Sequence, residues 1–211
     1  MFRAPSFGGV ILAAGESSRM GTDKALLAWP PAAEGQTSSA ETFLSAAIRS
    51  LEQSTDFVVI VAGKNAPSLA PIVYALGSSL ATNPDPGQGQ FSSLQVGLRE
   101  VMNRGRDAAI ITLVDRPPAA IATVEHLRRA FEAAPSNIWA VVPEFSGKHG
   151  HPYVVGREMI EHFLQSPPTS NARDIEHQYE GRVEYVPVND PFVAMNINTP
   201  EDYAALTARS S

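Results

Sequence analysis

Four short runs of apolar, mostly β-branched residues constrain this chain more than any other feature: 10–13 (VILA), 57–61 (FVVIV), 108–114 (AAIITLV) and 138–142 (IWAVV). Each is continuous rather than alternating, which is the pattern of a strand covered on both faces. Between the runs the periodicity becomes helical. Residues 40–53 place Phe43, Leu44, Ala47, Ile48 and Leu51 on one side, and helical patterns recur over 92–102 and 121–133. Strand, helix and strand in succession require crossover connections, and these give parallel strands. The expected fold is therefore α/β, a mainly parallel sheet with helices on both faces, in one domain over residues 1–211. A further helix is expected at 157–164 and a strand at 183–188. A last helix opens at Thr199, Pro200, Glu201 and Asp202, with a capping Thr, Pro at the first position and acids in the first turn. Residues 30–39 and 83–90 read as loops.

Composition narrows the functions this fold can carry. With 16 Lys+Arg against 22 Asp+Glu the net charge is −6, which argues against wrapping nucleic acid or lying on an anionic membrane. Any phosphate must be held locally. The absence of cysteine removes disulfides, thiolate nucleophiles and sulfur-bound zinc. The apolar stretch 7–14 is about eight residues long and broken by two glycines, so it reads as a strand rather than an export signal. No stretch approaches the roughly 20 residues of a membrane span, and a cytoplasmic protein is expected.

In an open α/β sheet, ligands bind beyond the carboxyl ends of the strands. After the first strand comes LAAGESSRMGTDK, residues 12–24, where small residues expose backbone amides and Arg19 and Lys24 supply two cations. Such a loop suits a polyphosphate, although a glycine-punctuated turn with solvated cations reads the same way. It is neither a Walker A loop nor a dinucleotide fingerprint, because the glycine spacing differs. Asp115 follows the strand 108–114 and precedes Arg116, Pro117 and Pro118. A carboxylate there can hold Mg²⁺, or it can be an ordinary turn residue. His149 and His151 are two apart, but no acid or third histidine lies close in sequence to complete a zinc site.

The string LAAGESSRMGTDK resembles the signature of the molybdenum-cofactor nucleotidyltransferases, LAAGxSxRMGxxK in the cytidylyltransferases and LAGGxSxRMGxDK in the guanylyltransferases. Further motifs follow in the order of that family over essentially the whole chain. The resemblance implies a Rossmann-like, MobA-like nucleotidyltransferase domain that uses Mg²⁺. It assigns Arg19 and Lys24 to catalysis and Leu12, Ala13, Ala14 and Gly15 to the nucleotide. The segment 83–94 resembles the family's pocket-lining loop and helix start, so Asn83, Gly89 and Ser93 join them, with Ser92 or Ser93 capping the helix. Asp115 matches the metal-binding Asp of an Asp-x-Pro element, although Arg116 stands where Gln or Met is usual. Asn196 and Asn198, in NINTPED, stand where the cytidylyltransferases carry the acids of DIDTPED; an amide oxygen can still coordinate a hard cation. His151 lies in a GHP element and Arg173 in a partial Gly-Ala-Arg element, both on the side of the acceptor.

The implied reaction is CMP transfer from CTP to the phosphate of molybdopterin, with release of pyrophosphate. LAAG and the GHP element favour CTP, whereas Thr22-Asp-Lys24 and the NIN of residues 196–198 favour a GTP-dependent guanylyltransferase on the same acceptor. A non-catalytic nucleotide- or pterin-binding protein that delivers cofactor is the remaining alternative. The implied partners are these small molecules and a molybdoenzyme or its chaperone.

Overall fold

The computed structural model describes residues 4–15, 20–31 and 41–207. Arg19, the first of the two expected cations, lies outside the described residues. In chain order the elements are β1 (Phe7–Leu12), α1 (Phe43–Glu52), β2 (Phe57–Ala62), α2 (Ala66–Ala75), β3 (Ser79–Thr82), α3 (Gln90–Asn103) and β4 (Ala108–Leu113). They continue with α4 (Ile121–Ala133), β5 (Ala140–Phe145), β6 (Lys148–His149), β7 (Tyr153–Gly156), α5 (Arg157–Gln165), α6 (Ala172–Gln178), β8 (Val183–Pro187) and α7 (Pro200–Thr207).

The strand order is β3-β2-β1-β4-β7-β5-β6, with β8 parallel to β5. β1 is buried throughout and pairs in parallel on both sides, Val10 opposite Val59 of β2 and Ile111 of β4. Its side chains alternate between two cores as strand geometry requires. Ile11 meets Leu44 and Ile48 of α1, Leu69 of α2 and Leu127 of α4 in the core on one face. Val10 and Leu12 meet Leu94 and Leu98 of α3 and Phe163 of α5 on the other. This two-sided burial explains why the strands read as unbroken apolar runs.

From β1 the chain runs outward through β2 to β3, and α3 then carries it back across the sheet to β4. The connections leaving β1 and β4 therefore run toward opposite edges of the sheet, one to β2 and the other to β5, which opens a crevice at their carboxyl ends. Beyond β4 the sheet is mixed, because β7 lies antiparallel between β4 and β5.

Several boundaries differ from expectation. α1 starts at Phe43 because Thr42 and Ser45 form a capping box, the Ser45 amide donating to Thr42 Oγ1 at 3.1 Å. α3 starts at Gln90, three residues earlier than a Ser92 cap allows, and its cap is Gly89 at φ 105°, a conformation that favours glycine. β5 begins at Ala140 rather than residue 138. Five elements were not expected: α2, which carries Pro67 and Pro71, and β3, β6, β7 and α6, which are seven residues or shorter. Among the described residues, no helix is long and apolar enough to cross a membrane.

Gly97 sets how closely α3 lies on the sheet, since a Cβ there would overlap the Val10 side chain of β1. In an exposed helix Gly→Ala gains about 1 kcal/mol, but overpacking a core costs about 1–3 kcal/mol. Gly97→Ala should therefore destabilise the protein, which a urea-unfolding midpoint lower than wild type will register; an unchanged or higher midpoint would mean that the two elements separate freely.

Candidate active site

The crevice holds two adjoining cavities. The smaller, about 180 Å³, is lined by Leu12, Ala14 and Gly15 after β1, Lys24, Pro86, Gly89, Gln90 and Ser93 at the start of α3, and Val114 and Asp115 after β4. The larger, about 830 Å³, shares Leu12, Gln90 and Leu113 with the first and extends over Arg116, His151, Arg173, Glu176 and Asn196. The sequence motifs thus separate by position: the first loop and Asp115 on one cavity, the GHP and 170–173 segments on the other.

Hydrogen bonds hold the rim of the small cavity. The Ala13 amide donates to Val61 O at 2.8 Å, continuing the β1–β2 pairing. Asn65 then clips three segments together. Its Oδ1 accepts from the Gly63 amide, while its Nδ2 donates to Ala13 O at 2.9 Å and to Asp23 Oδ2 at 2.7 Å. Asp23 Oδ1 in turn accepts from the Ala25 amide and caps the short 3₁₀ turn that carries Lys24. Lys24 is nearly buried and its Nζ donates to Asn198 Oδ1 at 3.2 Å, joining the N-terminal loop to the segment before α7.

Asn83 is buried away from both cavities. Its Nδ2 donates to Ser92 and Ser93 Oγ at 2.8 and 2.9 Å, so it fixes the first turn of α3 rather than lining the pocket. Gly89, Gln90 and Ser93 bring that helix end to the cavity, where its partial positive charge faces any anionic group bound there.

Asp115 is held by its backbone: its carbonyl accepts from the Ile197 amide at 2.8 Å, which ties the end of β4 to the NIN segment. Its Oδ1 is buried without a hydrogen-bond partner. A carboxylate oxygen in that state, at the edge of a phosphate-sized cavity, fits a hard divalent cation. No three His, Asp or Glu side chains gather into a metal cluster among the described residues, so such a cation would depend on substrate oxygens for much of its shell. The NIN segment is braced by Asp202, whose Oδ2 accepts from the Asn198 and Thr199 amides at 2.9 and 3.0 Å; these bonds hold its carboxyl below the ordinary range. Asn196 lines the large cavity, whereas Asn198 bonds Lys24.

In the large cavity the carbonyl of Val193 is the anchor. It accepts from the His151 amide at 3.0 Å and from an Arg116 guanidinium N–H at 3.0 Å. Gly150 passes so close that any Cβ would collide with this same carbonyl, which gives the GHP glycine a steric reason. Burial, reinforced by the Arg116 charge, holds His151 well below the usual imidazole range, so the ring is neutral at pH 7. Aromatic walls face the space: His149 stacks on Tyr185 at 3.8 Å, and His151 meets Tyr153 edge-on at 5.0 Å. Sequence reasoning passed over Gln90, Arg116, Glu176 and both tyrosines as lining residues, because an isolated Gln, Glu or Tyr carries no motif.

A fold of this type with two adjoining cavities beyond the strand ends, one of them beside a glycine-rich loop, a lysine and a metal-suited carboxylate, is the arrangement of a nucleotidyltransferase. The chain belongs to the MobA-like NTP transferase domain family, whose model matches residues 9–183. It is 26% identical to the molybdenum cofactor cytidylyltransferase of Escherichia coli K12 over 202 residues, 95% of each chain. It is 31% identical to a probable molybdenum cofactor guanylyltransferase of Rhodopirellula baltica over 139 residues, 64% of this chain and 60% of that one. Among solved structures it resembles Rv0371c of Mycobacterium tuberculosis H37Rv, with TM-score 0.78, 25% identity and coverage of 96% and 98% of the two chains. A manganese complex of that protein aligns with TM-score 0.71, 21% identity and coverage of 96% of this chain and 98% of that one.

Glu176 supplies a test of the large cavity. Its carboxyl is raised from 4.5 to about 7, first by burial and against the opposing pull of Arg173. The folded state therefore binds more protons than the unfolded state between these values, and stability falls as pH rises from about 4.5 to about 7. Glu176→Gln removes this titration. Melting temperatures from pH 5 to 8 should decline less in the variant than in wild type; parallel curves would place Glu176 in water.

Proposed function

We propose that this nucleotidyltransferase moves CMP from CTP to the phosphate of a molybdopterin-type acceptor, releasing pyrophosphate with Mg²⁺. The observation that carries this reading is the meeting of two cavities along Leu12, Gln90 and Leu113, one beside the phosphate loop and one walled by aromatic rings. An acceptor phosphate oxygen attacks the α-phosphorus, a new phosphoanhydride P–O bond forms, and the bond to the bridging oxygen breaks, with its electron pair leaving on pyrophosphate. No enzyme nucleophile is needed, so positioning and charge neutralisation supply the rate. Ala14 and Gly15 hold the nucleotide through the backbone, with Gly89 and Ser93 opposite them, while Ala13, buried and hydrogen-bonded at both its amide and its carbonyl, positions them. Lys24, together with Arg19, stabilises the triphosphate and the departing pyrophosphate. Asp115 would hold Mg²⁺ with amide oxygens of Asn196 or Asn198, and the cation supplies charge compensation on phosphate oxygens. His151 and Arg173 belong to the acceptor side.

The choice of CTP is supported by the cytidylyltransferase relative, which aligns along nearly its full length, and by the LAAG and GHP elements. GTP is the second reading, favoured by the hydrogen bond between Asn198 and Lys24, which gives the NIN pattern of the guanylyltransferases a place in the site. Thermal-shift titration with CTP, GTP, ATP and UTP plus Mg²⁺ separates them, because selective binding to the native state raises the melting temperature. CTP is expected to give the largest shift; silence from all four would overturn the transferase reading.

The chemistry makes demands on two side chains. Asp115→Ala should abolish metal-dependent pyrophosphate release with the unfolding midpoint unchanged, and near-full activity would sink the metal assignment. Lys24→Ala should lower turnover by about 10²-fold or more if its charge acts in the transition state. Both are read by pyrophosphate release, which also distinguishes a transferase from a delivery protein that binds nucleotide and releases nothing.

A further inference from the structure

We propose that Arg116 receives the phosphate of the acceptor, making phosphomonoesters the substrates of the large cavity. The proposal rests on the transferase reading above and extends it to a residue that no motif assigns. Arg116 follows Asp115 directly, and the two line different cavities: Asp115 the small one beside the phosphate loop, Arg116 the large one. In a single residue the chain passes from the donor side to the acceptor side. A nucleophilic phosphate must sit at that boundary to reach the α-phosphorus.

The guanidinium is both fixed and unfulfilled. One of its N–H groups donates to Val193 O at 3.0 Å. That carbonyl belongs to a turn held by buried Asp190, whose Oδ1 accepts from the Phe192 amide and whose Oδ2 accepts from the Ala120 amide and Thr123 Oγ1. The position of Arg116 is thus set by backbone rather than by a flexible carboxylate. Its Nε is buried without a hydrogen-bond partner, and it makes no salt bridge among the described residues. Nδ1 of His151, on the same cavity, is likewise buried and without a partner.

Burial makes the Arg116 cation costly, and among its neighbours the Asp115 carboxylate offsets it; an anion bound in the large cavity beside the guanidinium adds the second counter-charge. A phosphate is the anion whose geometry matches the planar guanidinium fork. A purely structural arginine would also bridge to Val193, but it would not need to line the large cavity directly beside Asp115.

The test uses the intact protein and inorganic phosphate as probe. Calorimetric titration in metal-free buffer should show phosphate binding to wild type and about 10- to 100-fold weaker binding to Arg116→Gln, the loss expected for hydrogen bonds from a charged donor. Arg116→Lys should fall between the two. With CTP and molybdopterin as substrates, Arg116→Gln should raise the acceptor KM by a similar factor and leave the CTP KM and the CTP-induced thermal shift as in wild type. In wild type itself, inorganic phosphate should inhibit competitively against the acceptor and not against CTP, a measurement that needs no variant. Equal phosphate affinity in wild type and Arg116→Gln, absence of phosphate binding to wild type, or competition against CTP alone would overturn the assignment. If no nucleotide binds while phosphate binding still depends on Arg116, the transferase reading falls and the phosphate site stands. If CTP binds and pyrophosphate is released but the acceptor KM ignores Arg116, only this assignment falls.

Discussion

The parallel pairing of β1 with β4 is the constraint on which the site depends. Leu12 lies opposite Leu113, and the Val114 amide donates to Leu12 O at 3.0 Å, so the two strands end side by side. Their chains then part, one into the phosphate loop and one into Asp115 and Arg116. A ladder of backbone hydrogen bonds is stiff, and it places Ala14 and Gly15 on the same cavity as the Asp115 carboxylate without using a charged side chain. The link from Ile197 to Asp115 O extends the same backbone control to the segment before α7.

Around that fixed centre the sequence spends its polar side chains on holding loops. Asn65 joins Ala13, Gly63 and Asp23; Asn83 joins Ser92 and Ser93; Asp190 joins α4 to the turn carrying Val193. Each is a residue type that hydrogen-bonds backbone readily and is favoured in turns. Each satisfies groups that would otherwise be buried unpaired, at about 1–3 kcal/mol apiece. Of the four buried side-chain atoms without a hydrogen-bond partner among the described residues, three, Asp115 Oδ1, Arg116 Nε and His151 Nδ1, belong to residues that line the two cavities, and the fourth, Arg106 Nε, lies 3.1 Å from Asp56 Oδ2 in an ion pair.

The central strands were legible because burial on both faces writes an unbroken apolar run, and α1, α3 and α4 because one-sided burial writes a helical period. β3 was not, since SLAT is a half-exposed edge strand, and α2 was hidden by two prolines. The site divided along similar lines. Lys24, Gly15 and Asp115 stand in contiguous strings, and the structure brings them to one cavity. Asn83 bonds Ser92 and Ser93 at the start of α3, a placement its motif did not reveal, because a motif records that a residue is needed without saying whether it touches ligand or holds the helix that does. Asn65, Glu176 and Tyr185 left no trace in one dimension, because the fold alone assembles them.

Charge completes the physical picture. Relative to the DIDTPED pattern of related cytidylyltransferases, Asn196 and Asn198 remove two acids, and Arg116 adds a cation where a neutral residue is usual. The crevice is thus about three charge units more positive than that pattern, inside a chain whose net charge is −6. An aspartate at 198 would form an ion pair with Lys24, and near a protein surface two charges about 4 Å apart interact by about 4 kcal/mol. The amide keeps the hydrogen bond without that attraction, so less of the lysine's field is neutralised before substrate arrives. A site that lowers its own negative charge binds a divalent cation less strongly by itself and relies more on the oxygens of two phosphate-bearing substrates to complete the shell. On the proposed transferase reading the anionic substrates would contribute most of the cation's ligands, with Lys24 on the small cavity and Arg116 on the large one supplying positive charge to either substrate.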